Sequence, residues 1–302
     1  MCRLTAVVLG SAAGGGVPQW NCRCPVCELA WERSPRVLWR TQSSIAVSAD
    51  HQSWLLVNAS PDLRTQIGSI PALAPRTGLR HSPIQSVILT NADVDHVAGL
   101  LTLRERQPFT LYATQSTLDV LDANSVFNVM ATDCVSRRSM ALDEIISPLP
   151  GLTVRAFAVP GKVALYLENE SLKIGDATET TIGLDIRSHG KRITYIPGCA
   201  VIDDRVRAEA DGTDLLFYDG TTFTDDEMIR LGLSEKSAHR MGHTPITGAA
   251  GSLYAFNDMN IGQRSLIHIN NSNPILIHDS PQRRQVEAAG WIVTHDGMEF
   301  SL

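Results

Sequence analysis

Apolar residues occur along the chain in short runs that end at glycine, proline or polar residues. Most of these runs are rich in Val, Ile and Leu, a pattern that predicts buried β-strands. The strands predicted in this way cover residues 4–10, 43–48, 54–58, 87–90, 109–113, 152–159, 163–168, 182–188, 193–197, 215–218, 265–269 and 291–295. The runs at 43–48 and 54–58 flank a polar turn and are expected to pair as a hairpin.

Helical spacing of apolar residues separates many of these strands. Helices are predicted within 97–103 and over 115–124, 203–210, 225–231, 245–256 and 281–289. The strands come in two batches, each with helices interspersed. This order fits two sheets packed face to face with helices outside, in one domain that spans residues 1–302.

Composition and charge narrow the class of protein. The 302 residues are 43% hydrophobic and 19% charged, which excludes disorder and coiled coil. A formal net charge of -6 argues against a nucleic-acid partner, which usually requires a basic surface. No apolar run approaches the roughly 18 residues of a membrane span, and the N-terminal run is too short for a signal segment. The sequence therefore predicts a cytoplasmic protein.

Three of the six cysteines lie close together, at Cys22, Cys24 and Cys27. A disulfide framework would spread its cysteines along the chain, whereas closely spaced thiolates are typical of zinc sites. We therefore expect a structural Zn²⁺ at a knuckle over residues 22–27. The alternative is three ordinary thiols, which a surface loop would expose to oxidation.

A second cluster of polar residues follows the predicted strand at 87–90. Asn91, Asp93, Asp95 and His96 occur in the pattern N-x-D-x-D-H, just before helical spacing begins. Acidic residues there can cap a helix N-terminus and interact with its dipole. That explanation does not account for His96, since an imidazole gains nothing at a helix N-terminus.

This unit resembles the H-x-H-x-D-H motif of the metallo-β-lactamase superfamily, with Asn91 and Asp93 in the places of its first two histidines. The cysteine knuckle is similar to that of the superfamily's phosphodiesterase branch. Over its whole length the chain resembles the coenzyme PQQ synthesis protein B family, on the segments PQWNCRCPVC, TNADVDHVAGLL and HINNSNPIL. The resemblance implies an α+β fold, a four-layer αββα sandwich of two mixed sheets with helices outside.

The resemblance also implies which metal ligands remain. Two-metal members carry a histidine that would fall near residues 159–161 and a bridging aspartate near 197–199, and this sequence has neither. Asp95, His96 and His268 match the ligands of the other metal. Two imidazoles and one carboxylate are the ligand set of non-haem Fe²⁺ oxygenases, so a single Fe²⁺ is expected, which Zn²⁺ or Mg²⁺ replaces in some crystals. Asp93 is expected to add a carboxylate or to orient a ligand.

Three further residues are candidates because of their positions. His243 resembles the general-acid histidine of the phosphodiesterase branch and would line the pocket. Asp219 ends a predicted strand and would orient His243 or His268, or cap a turn. Asn271 stands where the phosphodiesterase branch places its fourth zinc ligand. His243, Asp93 and Asp219 are therefore the candidate catalytic residues, and Asn271 is a candidate zinc ligand.

The family resemblance implies a role in pyrroloquinoline quinone (PQQ) biosynthesis, as an iron-dependent hydroxylase of the tyrosine in a PQQ precursor. One alternative is a carrier of PQQ or of its precursor. The other is a zinc phosphodiesterase-like hydrolase, which the fold favours and the missing ligands disfavour. The expected partners are a small or peptide-derived tyrosine-containing precursor, other PQQ biosynthesis proteins and a second copy of the chain in a homodimer.

Overall fold

The computed structural model describes residues 3–168 and 173–302. In this part of the chain, two seven-stranded sheets pack face to face and helices cover both outer faces. The four-layer αββα order expected from the sequence is confirmed. No helix within these residues is long and apolar enough to cross a membrane.

The strands and helices have the following bounds. The strands are β1 (Thr5–Gly10), β2 (Ser44–Ser48), β3 (Trp54–Val57), β4 (Ile84–Ile88), β5 (Phe109–Ala113), β6 (Val135–Ser139), β7 (Ile145–Leu149), β8 (Leu152–Gly161), β9 (Asp176–Ser188), β10 (Lys191–Ile196), β11 (Leu215–Asp219), β12 (Gln263–Ile267), β13 (Trp291–Val293) and β14 (Glu299–Ser301). The helices are α1 (Pro25–Trp31), α2 (Leu63–Ser69), α3 (Val94–Val97), α4 (Gln115–Ala123), α5 (Asp204–Ala210), α6 (Glu227–Arg230), α7 (Ala238–Met241), α8 (Ser252–Ala255) and α9 (Pro281–Ala288).

The two sheets are built in the same way. The first has the order β14-β1-β2-β3-β4-β5-β6, and the second has the order β13-β12-β11-β10-β9-β8-β7. Each sheet combines antiparallel strands with a run of four parallel strands, β3 to β6 in the first and β10 to β13 in the second. The predicted hairpin is confirmed, because β2 pairs antiparallel with β3.

Strand β1 shows why the sheets carry apolar residues on both faces. Successive side chains of a strand point to opposite faces. Ala6 and Val8 lie in the core between the two sheets, whereas Val7 and Leu9 lie in the core beneath the outer helices. A strand buried on both sides reads as a continuous apolar run, and this is the pattern seen in the sequence.

Loops at the carboxyl ends of the parallel strands form the part of the molecule where function is expected. The loop after β4 leads into α3, and backbone hydrogen bonds hold it against the segment that follows β3. Ala59 N–H donates to the carbonyl of His96 (2.7 Å), and Gly99 N–H donates to the carbonyl of Ala59 (2.8 Å). The corresponding loops after β11 and β12 approach from the second sheet.

Two predicted elements are wrong. Residues 163–168 form a loop with one 3₁₀ turn, Leu165–Leu167, instead of a strand. Leu165, Tyr166 and Leu167 are exposed. The Tyr166 hydroxyl donates to the carbonyl of Ala92, so the segment crosses the β4 loop instead of joining a sheet. The helix predicted over 245–256 is limited to α8, since Gly248 adopts a left-handed φ of 95° that interrupts the helical path.

Gly99 provides a direct test of the packing that positions the β4 loop. A methyl group on Gly99 would lie 2.0 Å from the carbonyl oxygen of Ser60, whereas a methyl group on Gly68 of α2 would meet no atom within 4 Å. We expect Gly99→Ala to lower the free energy of unfolding by about 1–3 kcal/mol. Gly68→Ala is the matched control and should keep or raise stability, by up to about 1 kcal/mol. Urea unfolding of both variants measures the difference, and equal stabilities would contradict the packing described here.

Candidate metal centres

Three candidate ligands converge between the two sheets. Asp95 and His96 lie in α3, directly after β4, and His268 follows the last residue of β12. Asp95 Oδ2 is 3.1 Å from His268 Nε2 and 3.8 Å from His96 Nε2. Ligand atoms about 2.1 Å from one metal ion, at right angles, lie about 3 Å apart. The three residues therefore fit one ion, and they line a cavity of about 430 Å³.

Hydrogen bonds to Asn91 fix the ring of His96. Asn91 Nδ2 donates to Asp93 (3.0 Å), and the Asp93 N–H donates to Asn91 Oδ1 (3.1 Å), so the orientation of the Asn91 amide is determined. Asn91 Oδ1 then lies 2.6 Å from His96 Nδ1 and accepts a hydrogen bond from it. His96 Nε2 is buried and has no hydrogen-bond partner among the described residues. Its lone pair is left for a metal ion.

Thr221 fixes the ring of His268 from the opposite side. The Thr221 hydroxyl has one hydrogen, with which it forms a hydrogen bond to Asp219 Oδ1 (2.7 Å). Its oxygen therefore accepts a hydrogen bond from His268 Nδ1 (3.0 Å). This arrangement directs His268 Nε2 at Asp95. His268 also has a φ of 57°, a left-handed value that a non-glycine residue adopts only when its surroundings impose it.

His243 and Asp219 form a pair next to the three candidate ligands. Asp219 is fully buried, and its Oδ2 accepts from His243 Nδ1 (2.8 Å) and from the Cys199 N–H (3.1 Å). The ring of His243 stacks on that of His268, with centroids 5.2 Å apart. Asp219, His243 and His268 also lie close enough to suggest a second metal group. These atoms are instead satisfied by hydrogen bonds within the protein, since Asp219 Oδ2 accepts from His243 Nδ1 and the Thr221 hydroxyl lies between Asp219 Oδ1 and His268 Nδ1.

The charges at the site favour metal ligation. Burial would raise the pKa of Asp95, but His96 and His268 beside it hold that pKa below its usual range. Burial lowers the pKa of His96, which therefore stays neutral. Burial opposes the charged form of His268, yet its hydrogen bond to Asp95 raises the pKa. An ionised carboxylate and neutral imidazoles are the ligand forms, so a metal ion at this site competes with protonation of His268.

The positions of the missing superfamily ligands are filled in other ways. Gly161 ends β8, where an added methyl group would lie 2.5 Å from Thr181 Oγ1. Cys199 is fully buried, and its thiol donates to the carbonyl of Val201 (3.1 Å). Burial raises the pKa of this thiol to about 12, so it is protonated. Neither position offers a ligand for a second metal.

The three clustered cysteines form a separate buried group. Cys24 caps α1, and the sulfurs of Cys22, Cys24 and Cys27 lie within 4.8 Å of one another. The amide nitrogen of Asn271 is 3.2, 3.7 and 3.2 Å from these three sulfurs. Ligand atoms of a tetrahedral zinc site lie about 3.6 Å apart, so the carboxamide stands at the distance of a fourth ligand. Its nitrogen donates to the sulfurs here, and a ligand role requires the amide to turn so that Oδ1 faces the metal. The contact between Cys24 and Cys27 lowers the pKa of Cys27 and raises that of Cys24, so Cys27 is the thiol of this pair that favours the thiolate form.

The structure thus brings most of the predicted site residues to two places. Asp95, His96, His268, His243 and Asp219 surround one cavity, and Asn271 joins the cysteine group. Asp93 lines the same cavity but lies outside the three-ligand group, where its oxygens accept from Asn91 and from the Leu165 N–H (3.4 Å). It orients Asn91, and a ligand role for Asp93 stays a prediction.

Sequence reasoning missed Thr221 and the orienting role of Asn91. Thr221 is one polar residue after a buried strand, and nothing in the sequence marks it. Its three partners come from three segments of the chain, so only the fold reveals their common contact. The sequence marked Asn91 only as a residue that stands in the place of a histidine ligand of the superfamily.

Comparison with known proteins identifies the family. A model of the beta-lactamase superfamily domain matches residues 53–269. Coenzyme PQQ synthesis protein B of Methylorubrum populi is 60% identical over 296 residues, which cover 98% of this chain and 99% of that protein. The chain belongs to the coenzyme PQQ synthesis protein B family. Its function therefore lies in PQQ biosynthesis.

More distant members and solved structures agree with this assignment. Coenzyme PQQ synthesis protein B of Xanthomonas campestris is 49% identical, over 98% of this chain and 99% of that protein. The zinc-bound crystal structure of PqqB from Methylobacterium extorquens is 57% identical, with a TM-score of 0.98 over 99% of this chain and 100% of that one. A diphosphatase of the PhnP family, 21% identical with a TM-score of 0.70 over 99% of this chain and 97% of that one, shares the fold.

The hydrogen bond from His96 to Asn91 generates a prediction about metal affinity. Asn91→Ala removes the acceptor that fixes the His96 ring, so we expect metal binding at the cavity to weaken by about 10- to 100-fold. Asn91→Asp keeps an acceptor and should keep most of the affinity. Competition with a chromophoric chelator measures it, with the exposed Asn124→Ala as control. Unchanged affinity in Asn91→Ala would show that Asn91 does not orient the ligand.

Proposed function

We propose that this member of the family is an iron-dependent oxygenase that hydroxylates the tyrosine ring of a PQQ precursor. The observation that carries the proposal is the group formed by Asp95, His96 and His268. The Nε2 atoms of the two imidazoles and one carboxylate line the same cavity. The Nδ1 atom of each imidazole is hydrogen-bonded to another residue of the protein. A ligand set of this kind leaves positions open for further ligands.

Asp95, His96 and His268 would hold the iron. When bound, Fe²⁺ supplies O₂ activation beside a position that a phenol can reach from the cavity. In the overall reaction one aromatic C–H becomes C–OH, O₂ is the oxidant, two electrons come from an external reductant, and the second oxygen atom leaves as water. The cavity of about 430 Å³ has the size of a small-molecule site, which suits a small or peptide-derived precursor.

The pair of His243 and Asp219 is suited to proton transfer. Asp219 accepts from Nδ1 of His243, so Nε2 remains the free nitrogen of a ring that lines the cavity. An imidazole held in this way by a buried carboxylate can accept a phenolic proton at Nε2. Burial alone would raise the pKa of Asp219, but the hydrogen bond from His243 helps to lower it.

We also propose that Cys22, Cys24, Cys27 and Asn271 hold a structural Zn²⁺. The spacing of the sulfurs and of the Asn271 amide supports a tetrahedral site. Asn271 lies three residues after His268, so this zinc would tie the His268 loop to α1. The family's zinc-bound crystal structure agrees with a zinc-binding chain.

Other expectations remain predictions of the sequence. They include a homodimer, contacts with other PQQ biosynthesis proteins and a cytoplasmic location. A carrier of PQQ would bind its cargo in the same cavity and would need no O₂. Zinc hydrolysis in this superfamily usually relies on two metals or on a histidine-rich site, and the residues at 161 and 199 add no ligand.

Oxygen consumption tests the proposed activity. Protein reconstituted with Fe²⁺ without air, then given O₂, a reductant and a tyrosine-containing peptide, should form a product with one oxygen atom from labelled O₂. His268→Ala should abolish this activity because it removes one of the three ligands, and it should keep the cysteine-bound zinc. His243→Ala should bind iron but slow turnover by about 100- to 10,000-fold, the usual contribution of a proton-transfer group.

The matched control is His81→Ala, which changes a histidine of a surface loop. It should leave both metal content and turnover unchanged. Hydroxylation by His268→Ala at the rate of the parent protein would contradict the ligand assignment. Binding of PQQ without any O₂ uptake would favour the carrier, and hydrolysis of bis(4-nitrophenyl) phosphate by zinc-loaded protein would favour the hydrolase.

A further inference from the structure

A group of cations surrounds one carboxylate at the wall of the metal cavity. Lys162 Nζ lies 3.0 Å from Glu168 Oε1, Lys236 Nζ lies 3.5 Å from Oε2, and Arg240 Nη2 lies 3.2 Å from Oε2. We call these four residues the cation cluster. Lys162, Lys236 and Glu168 line the same cavity as Asp95, His96 and His268. The cluster and the candidate metal ligands therefore line one cavity.

The cation cluster carries more positive charge than its own carboxylate neutralises. Three cations meet one carboxylate, so among the described residues of the cluster two positive charges remain. Nη1 of Arg240 is buried and has no hydrogen-bond partner in this part of the chain. A buried, unsatisfied guanidinium nitrogen costs free energy unless an acceptor reaches it. Glu168 Oε1 also has no hydrogen bond of good geometry in this part of the chain, although Lys162 Nζ lies 3.0 Å from it. The case for a second anion therefore rests on the excess of positive charge at the cavity wall.

The side chains of Lys162 and Glu168 are held in place by burial and packing. Their side chains are only 12% and 13% exposed, unlike those of an ordinary surface ion pair. The stem of Lys162 passes against Gly242, the residue before His243, where an added methyl group would lie 3.0 Å from Lys162 Cγ. Burial would raise the pKa of Glu168, but Lys162 and Arg240 beside it lower it to about 2. Glu168 is ionised at neutral pH.

We propose that the cation cluster is a subsite for a carboxylate of the substrate, and that Glu168 competes with that carboxylate for the cations. The inference rests on the proposed function in one respect, since it takes the substrate to be a tyrosine derivative with its phenol at the metal. Glu168 shows that a carboxylate can contact all three cations in this geometry. A tyrosine carries its own carboxylate at the end opposite the phenol, and the proposal places these two ends at two groups of residues that line one cavity.

Binding of two tyrosine ligands to zinc-loaded protein tests the subsite without any turnover. N-acetyltyrosine carries the carboxylate, and N-acetyltyrosinamide has the same phenol and no charge. Ligand-observed NMR titration to millimolar concentration should give about tenfold tighter binding of the carboxylate, the effect of one charge-assisted hydrogen bond. The difference should shrink as salt is added, because a partly exposed charge pair is screened.

Variants of the cluster should change this preference in opposite directions. Lys236→Gln removes one cation and should reduce the preference for N-acetyltyrosine several-fold, with little effect on the amide. Glu168→Gln removes the competing carboxylate and should increase the preference. Lys191→Gln is the matched control, since Lys191 pairs with Asp214 at the start of β10, away from the cavity. It should leave both affinities unchanged.

The outcomes separate this subsite from the proposed reaction. Equal affinities for the two ligands, or no measurable binding of either, would overturn the subsite even if the iron-loaded protein hydroxylates tyrosine. A preference that is present in the parent and reduced in Lys236→Gln would support the subsite even if no hydroxylation occurs. Acetate at about 10 mM that weakens binding of N-acetyltyrosine and leaves binding of the amide unchanged would support a subsite for carboxylates.

Discussion

A hydrogen bond at Nδ1 holds each of the three imidazoles around the cavity, and the chemistry of the site depends on these bonds. Asn91 accepts from His96, Thr221 accepts from His268 and Asp219 accepts from His243. Since one ring nitrogen is occupied in each case, the other is available for a metal ion or a proton. The site is therefore organised before any ligand arrives, which reduces the cost of binding one.

The same bonds explain how a two-metal fold can present a single centre. Asn91 stands where the superfamily motif has a histidine, and it contacts a ligand instead of acting as one. Cys199, near the place of the bridging aspartate, is buried and protonated, while Asp219 is engaged by His243 and Thr221. Residues at the position of the first superfamily metal therefore orient the candidate ligands of the other. An open, single metal suits O₂ chemistry better than hydrolysis by a metal pair.

Much of this arrangement could be predicted from the sequence, and the reasons are local. Residues 91–96 are contiguous, so their pattern marks the β4 loop, and the three cysteines lie within six positions. Apolar runs identified most strands because both sheets are buried on both faces. The segment 163–168 misled the prediction because Leu165 and its apolar neighbours are exposed beside the cavity instead of paired in a sheet.

What the sequence could not predict depends on contacts between distant segments. Thr221 contacts His268, which lies 47 positions away in the sequence. The cation cluster joins residues that follow β8 to a residue of α7. Hydrogen-bond partners of this kind have no spacing rule. The resemblance to a known family supplied His268 and His243 as candidates, but their tautomers followed only from the geometry.

The central claim is one metal at the cavity and a different one at the cysteines. Anomalous diffraction from crystals of iron-reconstituted protein, recorded at the iron and the zinc absorption edges, tests it most directly. We expect one iron peak bounded by Asp95, His96 and His268, and one zinc peak among Cys22, Cys24 and Cys27. Two bridged metals in the cavity, or an iron peak between Asp219 and His243, would contradict the account.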